Sequence, residues 1–165
     1  CARLWIIGKK DPEYVDKNLM AVCEKNHLTW EDASGDNPAG DIVSWGYVSE
    51  EKKLELLSRS WALLFPSIRE GWGIPVTEAG CVGTPCIAFD SPGIREAVNY
   101  GKAGYLCRDN SVNGLADQMC AVLSDKTRYE EMRNSAYTFS SRFLWDETGN
   151  IFGECIDAWY YGKQK

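Results

Sequence analysis

Short apolar runs alternate with segments of helical period along this chain. Leu4-Trp5-Ile6-Ile7 is apolar throughout and closed by Gly8, which predicts a buried strand. Asp11-Pro12 opens a predicted helix to about Lys25, with Tyr14, Val15, Leu19, Val22 and Cys23 at helical spacing. Residues 31–41 are rich in Asp, Ser, Gly, Asn and Pro and read as a surface loop. Ile42 to Gly46 is a second predicted strand, and Ser49 is placed to cap a helix carrying Leu54, Leu56, Leu57 and Trp61. Ala62 to Phe65 is the third strand. A glycine-rich loop follows, then a helix that starts at Pro75 and ends near Gly83. Pro85 to Phe89 is the fourth strand, Ser91-Pro92-Gly93 turns into a short helix from Ile94 to Asn99, and Tyr105-Leu106-Cys107 is the fifth strand. Three helices close the chain. The first, after Ser111, has Val112, Leu115, Met119, Val122 and Leu123 on one face. The second runs from Arg128 to Phe143. The third, Asp146 to Tyr160, has Phe152, Cys155, Ile156 and Trp159 on one face.

Strands that alternate with helices pair in parallel and build an α/β sheet covered on both faces, with right-handed crossovers. Ligands of such sheets bind beyond the carboxyl ends of the strands. The loop after the third strand lies at one of those ends. At 165 residues the chain is read as a single domain with a full core. Its net charge of -6 gives no pull toward nucleic acid or an anionic membrane surface. No apolar run is long enough to span a bilayer. The seven cysteines (Cys1, Cys23, Cys81, Cys86, Cys107, Cys120 and Cys155) are odd in number, mostly in apolar stretches and without a C-x-x-C spacing. They are read as small buried hydrophobes in a reducing compartment, hence a cytoplasmic location. One histidine and no ligand spacing give no metal site. The start at Cys1-Ala2-Arg3-Leu4, directly into an apolar run, reads as a piece of a longer protein.

The candidate chemistry is in Arg69-Glu70-Gly71-Trp72-Gly73-Ile74-Pro75-Val76-Thr77-Glu78-Ala79-Gly80. Proline suits a first helical position, because its missing N–H would be unpaired there anyway. A glycine loop at a helix start offers free N–H groups and the positive end of the helix dipole, which bind anions and phosphates in particular. Glu70 lies in the loop and Glu78 lies eight residues on, in the helix. Two carboxylates beside a phosphate site make sense when the ligand also carries hydroxyls, as a nucleotide sugar does.

The run from Phe65 to Asp90 resembles the nucleotide-sugar-binding C-terminal domain of the retaining family 4, or group 1, glycosyltransferases, which have the two-domain GT-B architecture. The matching residues are Pro66-Ser67, then Glu70-Gly71-Trp72-Gly73-Ile74-Pro75-Val76-Thr77-Glu78-Ala79, then Gly83-Thr84-Pro85. Gly46-Tyr47-Val48-Ser49, Ser91 to Glu96, and Gly101 with Gly104-Tyr105 add to it. The resemblance implies a Rossmann-like, doubly wound parallel sheet with C-terminal helices. It also implies that Glu70 holds hydroxyls of the donor sugar at the reacting carbon. The backbone of Gly71, Trp72, Gly73 and Ile74, with the helix start at Pro75 and Val76, would face sugar and diphosphate. Glu78 would take the ribose hydroxyls, and the backbone around Tyr47 and Val48 would meet the base. The parent enzyme would transfer a hexose, with retention and without metal or cofactor, to a glycan, lipid or small acceptor. An N-terminal acceptor domain outside this chain would complete it and supply any membrane contact, and the chain alone is expected to be inactive.

Two departures from the family pattern matter. The Arg and Lys that neutralise the diphosphate in the family lie on a first strand and helix that precede this chain's start. That strand sits between the first and third strands predicted here, so both should present unpaired edges. Gly80 stands where the family has a bulky apolar residue, which leaves room or a packing defect. Two other functions compete with this one. A nucleotide-sugar epimerase of the same architecture would need other acid and base groups, and the Glu70-to-Glu78 spacing with Glu70-Gly71-Trp72-Gly73 argues against it. The intact pair Glu70 and Glu78 also argues, less strongly, against a non-catalytic nucleotide-sugar-binding or assembly module. Trp72 is read as a packing residue or wall, His27 as solvated, Arg95-Glu96 as a helix-start pair, and the aromatics from Trp145 to Tyr161 chiefly as core.

Overall fold

Among the residues that the computed structural model describes, 2–143 and 145–162, six strands pair in parallel and form two three-stranded sheets. Cys1 lies outside these residues. The chain divides into two compact units, Cys1–Lys53 and Leu54–Lys165, each with one sheet. The α/β class with parallel pairing is therefore as expected, with the strands shared between two sheets.

In the first unit the order is β1 (Leu4–Ile7), β3 (Ile42–Gly46), β2 (Trp30–Asp32), with Leu4 and Trp30 both opposite Ile42. Strand β2 corrects the reading of 31–41 as loop throughout. It carries Glu31 and Asp32, which an edge strand tolerates. The Glu31 carboxylate accepts the N–H groups of Ala39 and Gly40, each at 2.8 Å, and folds the rest of the loop back onto the strand. The helix capped by Asp11 is less regular than its periodicity predicts. Between α1 (Pro12–Tyr14) and α2 (Met20–Lys25) runs a π-helical segment, Val15–Leu19. Val15 and Cys23 carry its burial. Ser49 accepts the Lys52 N–H at 3.2 Å and caps α3 (Glu50–Ser58), within which the unit boundary falls.

In the second unit the order is β4 (Leu63–Phe65), β5 (Cys86–Ala88), β6 (Tyr105–Leu106). Side chains alternate across this sheet. Cys86 and Ala88 join Val76, Ile94, Ala97 and Val98 in one cluster, under α4 (Ile74–Cys81) and α5 (Ile94–Ala97). Ile87 joins Tyr105, Cys107, Val122 and Tyr129 in the other, under α6 (Val112–Ser124) and α7 (Lys126–Ser140). Both faces are covered, as a parallel sheet requires. Strands β1 and β4 are edge strands of their sheets, in line with the two unpaired edges expected.

Several helix faces depart from their sequence pattern. Val112 and Leu123 of α6 are exposed, because only Val122, Leu115 and Met119 reach the core. Helix α8 (Trp145–Gly162) forms, but none of its residues is buried, so the aromatics read as core are on the surface. Of the six described cysteines, Cys23, Cys86 and Cys107 are buried, and Cys81, Cys120 and Cys155 are exposed. No described helix is long and apolar enough to cross a membrane.

Gly80 leaves no room and no defect. A Cβ there would stand 2.0 Å from Ser140 Oγ, 2.8 Å from Ser140 Cβ and 3.2 Å from the Ala136 carbonyl oxygen. The glycine lets α7 lie directly on α4. Gly80→Ala would gain about 1 kcal/mol in helix propensity. Overpacking against α7 outweighs that gain, so the variant should lose about 1–3 kcal/mol of stability overall. Urea unfolding checks this; an unchanged or raised midpoint would refute it.

Acid sensitivity of the first unit follows from Asp41. Its carboxylate accepts the Thr29 N–H at 2.9 Å and the Thr29 hydroxyl at 2.7 Å. These two bonds, the backbone one first, hold its pKa below the usual carboxylate value. A depressed folded pKa stabilises the fold above the unfolded value, near 4, and that contribution is lost as pH falls through the folded value. Asp41→Asn should therefore flatten the acid limb of the stability profile below about pH 4. Circular dichroism across acid titrations of both proteins would show it.

Candidate functional site

The candidate site lies in the second unit, where β4 ends. The chain leaves Phe65 through Pro66, loops to Gly73 and enters α4. Gly73 has φ +87°, a left-handed conformation suited to glycine, and a Cβ there would stand 2.7 Å from Ile94 Cδ1. The loop thus turns into the helix at a position where any other residue would be strained by the backbone and would push the Ile94 side chain aside. Among the described residues, no acceptor takes the backbone N–H groups of Gly71, Trp72, Gly73 or Ile74. The Val76 N–H is already engaged with the Gly73 carbonyl at 2.9 Å, and its side chain is in the core. The open donors are therefore those of the loop and the first helical residue.

Glu70 is exposed, and the Ser67 hydroxyl donates to its Oε1 at 2.9 Å. Its Oε2 has no hydrogen-bond partner among the described residues and remains available to a ligand hydroxyl. Glu78 is half-buried, one turn into α4. Partial burial, and then the Glu78 carboxylate, push the nearby Cys81 thiol up. Trp72 is a packing residue, as read from the sequence. Its indole N–H donates to Thr77 Oγ1 at 2.9 Å, and its ring meets Phe143 edge-on at 5.0 Å between centroids. Arg69 is exposed.

The turn after β5 supports the loop. Ser91, buried, donates its hydroxyl to the Ser67 carbonyl at 3.0 Å. Gly93, at φ +81°, lies so close that a Cβ on it would stand 2.4 Å from the Glu70 carbonyl oxygen and 2.7 Å from that of Gly71. The Gly93 N–H donates to Glu96 at 2.8 Å, which confirms Glu96 at the helix start. Arg95 instead pairs with Asp90, whose backbone Asn110 holds from both sides at 2.8 and 3.0 Å. Sequence reading found the turn but not its grip on the loop, since nothing in the spacing links residue 93 to residue 70.

Tyr47 and Val48 belong to the first unit, just after β3, with Tyr47 88% exposed and Val48 half-buried. Among the described residues no three His, Cys, Asp or Glu side chains cluster as metal ligands. A shallow depression lined by Asn99, Lys102 and Arg142 among others shares no residue with the loop.

Residues 37–139 match the family described as "Glycosyl transferases group 1". The chain is 34% identical over 87 residues to N-acetyl-alpha-D-glucosaminyl L-malate synthase of Bacillus anthracis, a stretch covering 53% of this chain and 23% of that protein. It is 33% identical over 121 residues to a glycogen synthase of Mycobacterium tuberculosis, covering 73% and 29%. It therefore spans about a quarter of the length of these relatives. Its fold is similar to that of HepE from Anabaena in complex with UDP, with a TM-score of 0.76 and 17% identity, over 95% of this chain and 41% of that one.

The three glycines of the site respond differently to a methyl group. A Cβ on Gly71 would meet nothing within 4 Å, so Gly71→Ala should change stability by less than about 0.5 kcal/mol. Gly93→Ala meets backbone and adds positive-φ strain, and should cost about 1–3 kcal/mol. Gly73→Ala should fall with Gly93→Ala. Thermal unfolding of the three variants tests the ranking, and equal melting points would refute it.

Proposed function

The chain belongs to the group 1 glycosyl transferases, and on that footing we propose that it is the donor-binding domain of a retaining hexosyltransferase. The family match includes the whole loop, both glutamates, Tyr47 and Val48. The observation that carries the reading is the set of open groups at the loop. Four N–H groups at a helix start have no acceptor among the described residues, and they lie beside a carboxylate with one free oxygen.

In this reading the donor is a nucleotide diphosphate sugar. Glu78 accepts the ribose hydroxyls and the backbone at Tyr47 and Val48 meets the base. The N–H groups from Gly71 to Ile74 take the diphosphate and the sugar, favoured by the start of α4. Glu70 holds sugar hydroxyls through Oε2. The C–O bond to the diphosphate then breaks and positive charge develops on the sugar ring. Fixed dipoles aimed at the departing diphosphate stabilise that state. Holding donor and acceptor together supplies much of the remaining rate. Retention by front-face attack, the absence of metal and cofactor, and a cytoplasmic setting belong to the same proposal. So does a second, acceptor-binding domain in the full-length protein, with a glycan, lipid or small molecule as acceptor and any membrane contact made through that domain.

The test is a titration of the full-length protein with UDP-glucose, GDP-mannose and ADP-glucose, followed by transfer assays. Glu78→Ala should weaken nucleoside diphosphate and nucleotide sugar alike, by about tenfold. Glu70→Ala should spare the nucleoside diphosphate and slow transfer on the order of 100-fold. Unaltered transfer in Glu70→Ala would refute the role given to Glu70, and nucleotide-sugar binding without any transfer by the full-length protein would favour a non-catalytic binding module instead.

A further inference from the structure

We propose that Ser67 and Ser91 are positioning residues that preset the Glu70 carboxylate for the donor sugar, an inference that rests on the role of Glu70 proposed above. Three contacts converge. Ser91 is 2% exposed, and its hydroxyl holds the Ser67 carbonyl across a sequence separation of 24 residues. The Ser67 hydroxyl in turn donates to Glu70 Oε1. Gly93, two residues after Ser91, bears on the carbonyls of Glu70 and Gly71. The 91–93 turn therefore grips the loop on both sides of the Glu70 side chain, once before it at Ser67 and once at its own backbone.

A short serine-to-carboxylate contact three residues apart also occurs in ordinary loops as a local turn device. Two features separate this case from that one. The Ser67 hydroxyl has one proton and two acceptors in reach, the Arg69 carbonyl at 3.4 Å and the Glu70 carboxylate at 2.9 Å. The shorter, charge-assisted bond takes it. The serine is itself fixed from outside the loop by a buried hydroxyl, which a free-standing turn does not require. An exposed glutamate loses substantial rotamer freedom when it is fixed on a ligand. Fixing Oε1 beforehand removes part of that loss and leaves Oε2 aimed by its own geometry, which is preorganisation.

The readout is the sugar increment, the ratio of affinities for a nucleotide sugar and its nucleoside diphosphate. The full-length protein is titrated with UDP-glucose, GDP-mannose and ADP-glucose and with UDP, GDP and ADP, and the pair bound most tightly is used. Ser67→Ala and Ser91→Ala should each lower the increment roughly threefold to tenfold while the nucleoside diphosphate affinity stays constant. Ser67→Thr, which keeps the hydroxyl, should restore it. In a Glu70→Ala background Ser67→Ala should have no further effect, since the bond it removes is already gone. A normal increment in Ser67→Ala, when Glu70→Ala lowers it, overturns the positioning role alone. Equal losses for nucleoside diphosphate and nucleotide sugar also overturn it, because they mark general loop damage. A normal increment in Glu70→Ala, or no binding of any pair, overturns the reading of Glu70 itself.

Discussion

Parallel pairing of β4 with β5 decides which segments build the candidate site. Leu63, Leu64 and Phe65 stand opposite Cys86, Ile87 and Ala88. Both strands therefore run out at the same edge, and the segments that follow them emerge side by side. Loop 66–73 and turn 91–93 are those segments. Their contact follows from the register. A close approach of two backbones needs a residue without a side chain, and Gly93 supplies it. The loop that carries the open N–H groups and Glu70 is then braced by the turn that follows β5, not by its own contacts alone.

Helix α4 is fixed from its other end. Thr84 donates to the Leu57 carbonyl at 2.7 Å in a buried position and ties the chain after α4 to α3. Phe143 meets Trp72, so the segment after α7 also reaches the start of the site. The helix whose N-terminus is proposed to face the diphosphate is therefore held at both ends. This is the condition under which fixed dipoles act without reorganising.

The strands with strong apolar patterns, and the loop with its proline and glycines, were legible because local chemistry alone specifies them. Ser49 and Asp11 were legible as caps for the same reason. Strand β2 was not, since Trp30-Glu31-Asp32 is short and polar, and its pairing comes from β3. The π-helical segment was hidden because one inserted residue barely disturbs an apolar periodicity. Helix α8 shows the opposite error. Its amphipathic pattern correctly gives a helix, but pattern cannot say whether anything covers the apolar face. At the site, the identities of Glu70, Glu78 and Trp72 could be read in order along the chain. The hold of Ser91 on Ser67, and the close approach of Gly93 to the Glu70 and Gly71 backbone, depend on strand order, which no local signal carries.

The contact between Gly80 and Ser140 has a consequence on an evolutionary scale. The two positions share one small volume between α4 and α7, so neither can enlarge alone. A lineage that acquires a bulky residue at 80 must make room at residue 140 and also shift the Ala136 backbone of α7 outward. Selection then acts on the summed size of the pair, and the two positions should drift together as one compound character. Comparing lineages at either position by itself would misjudge how freely it varies.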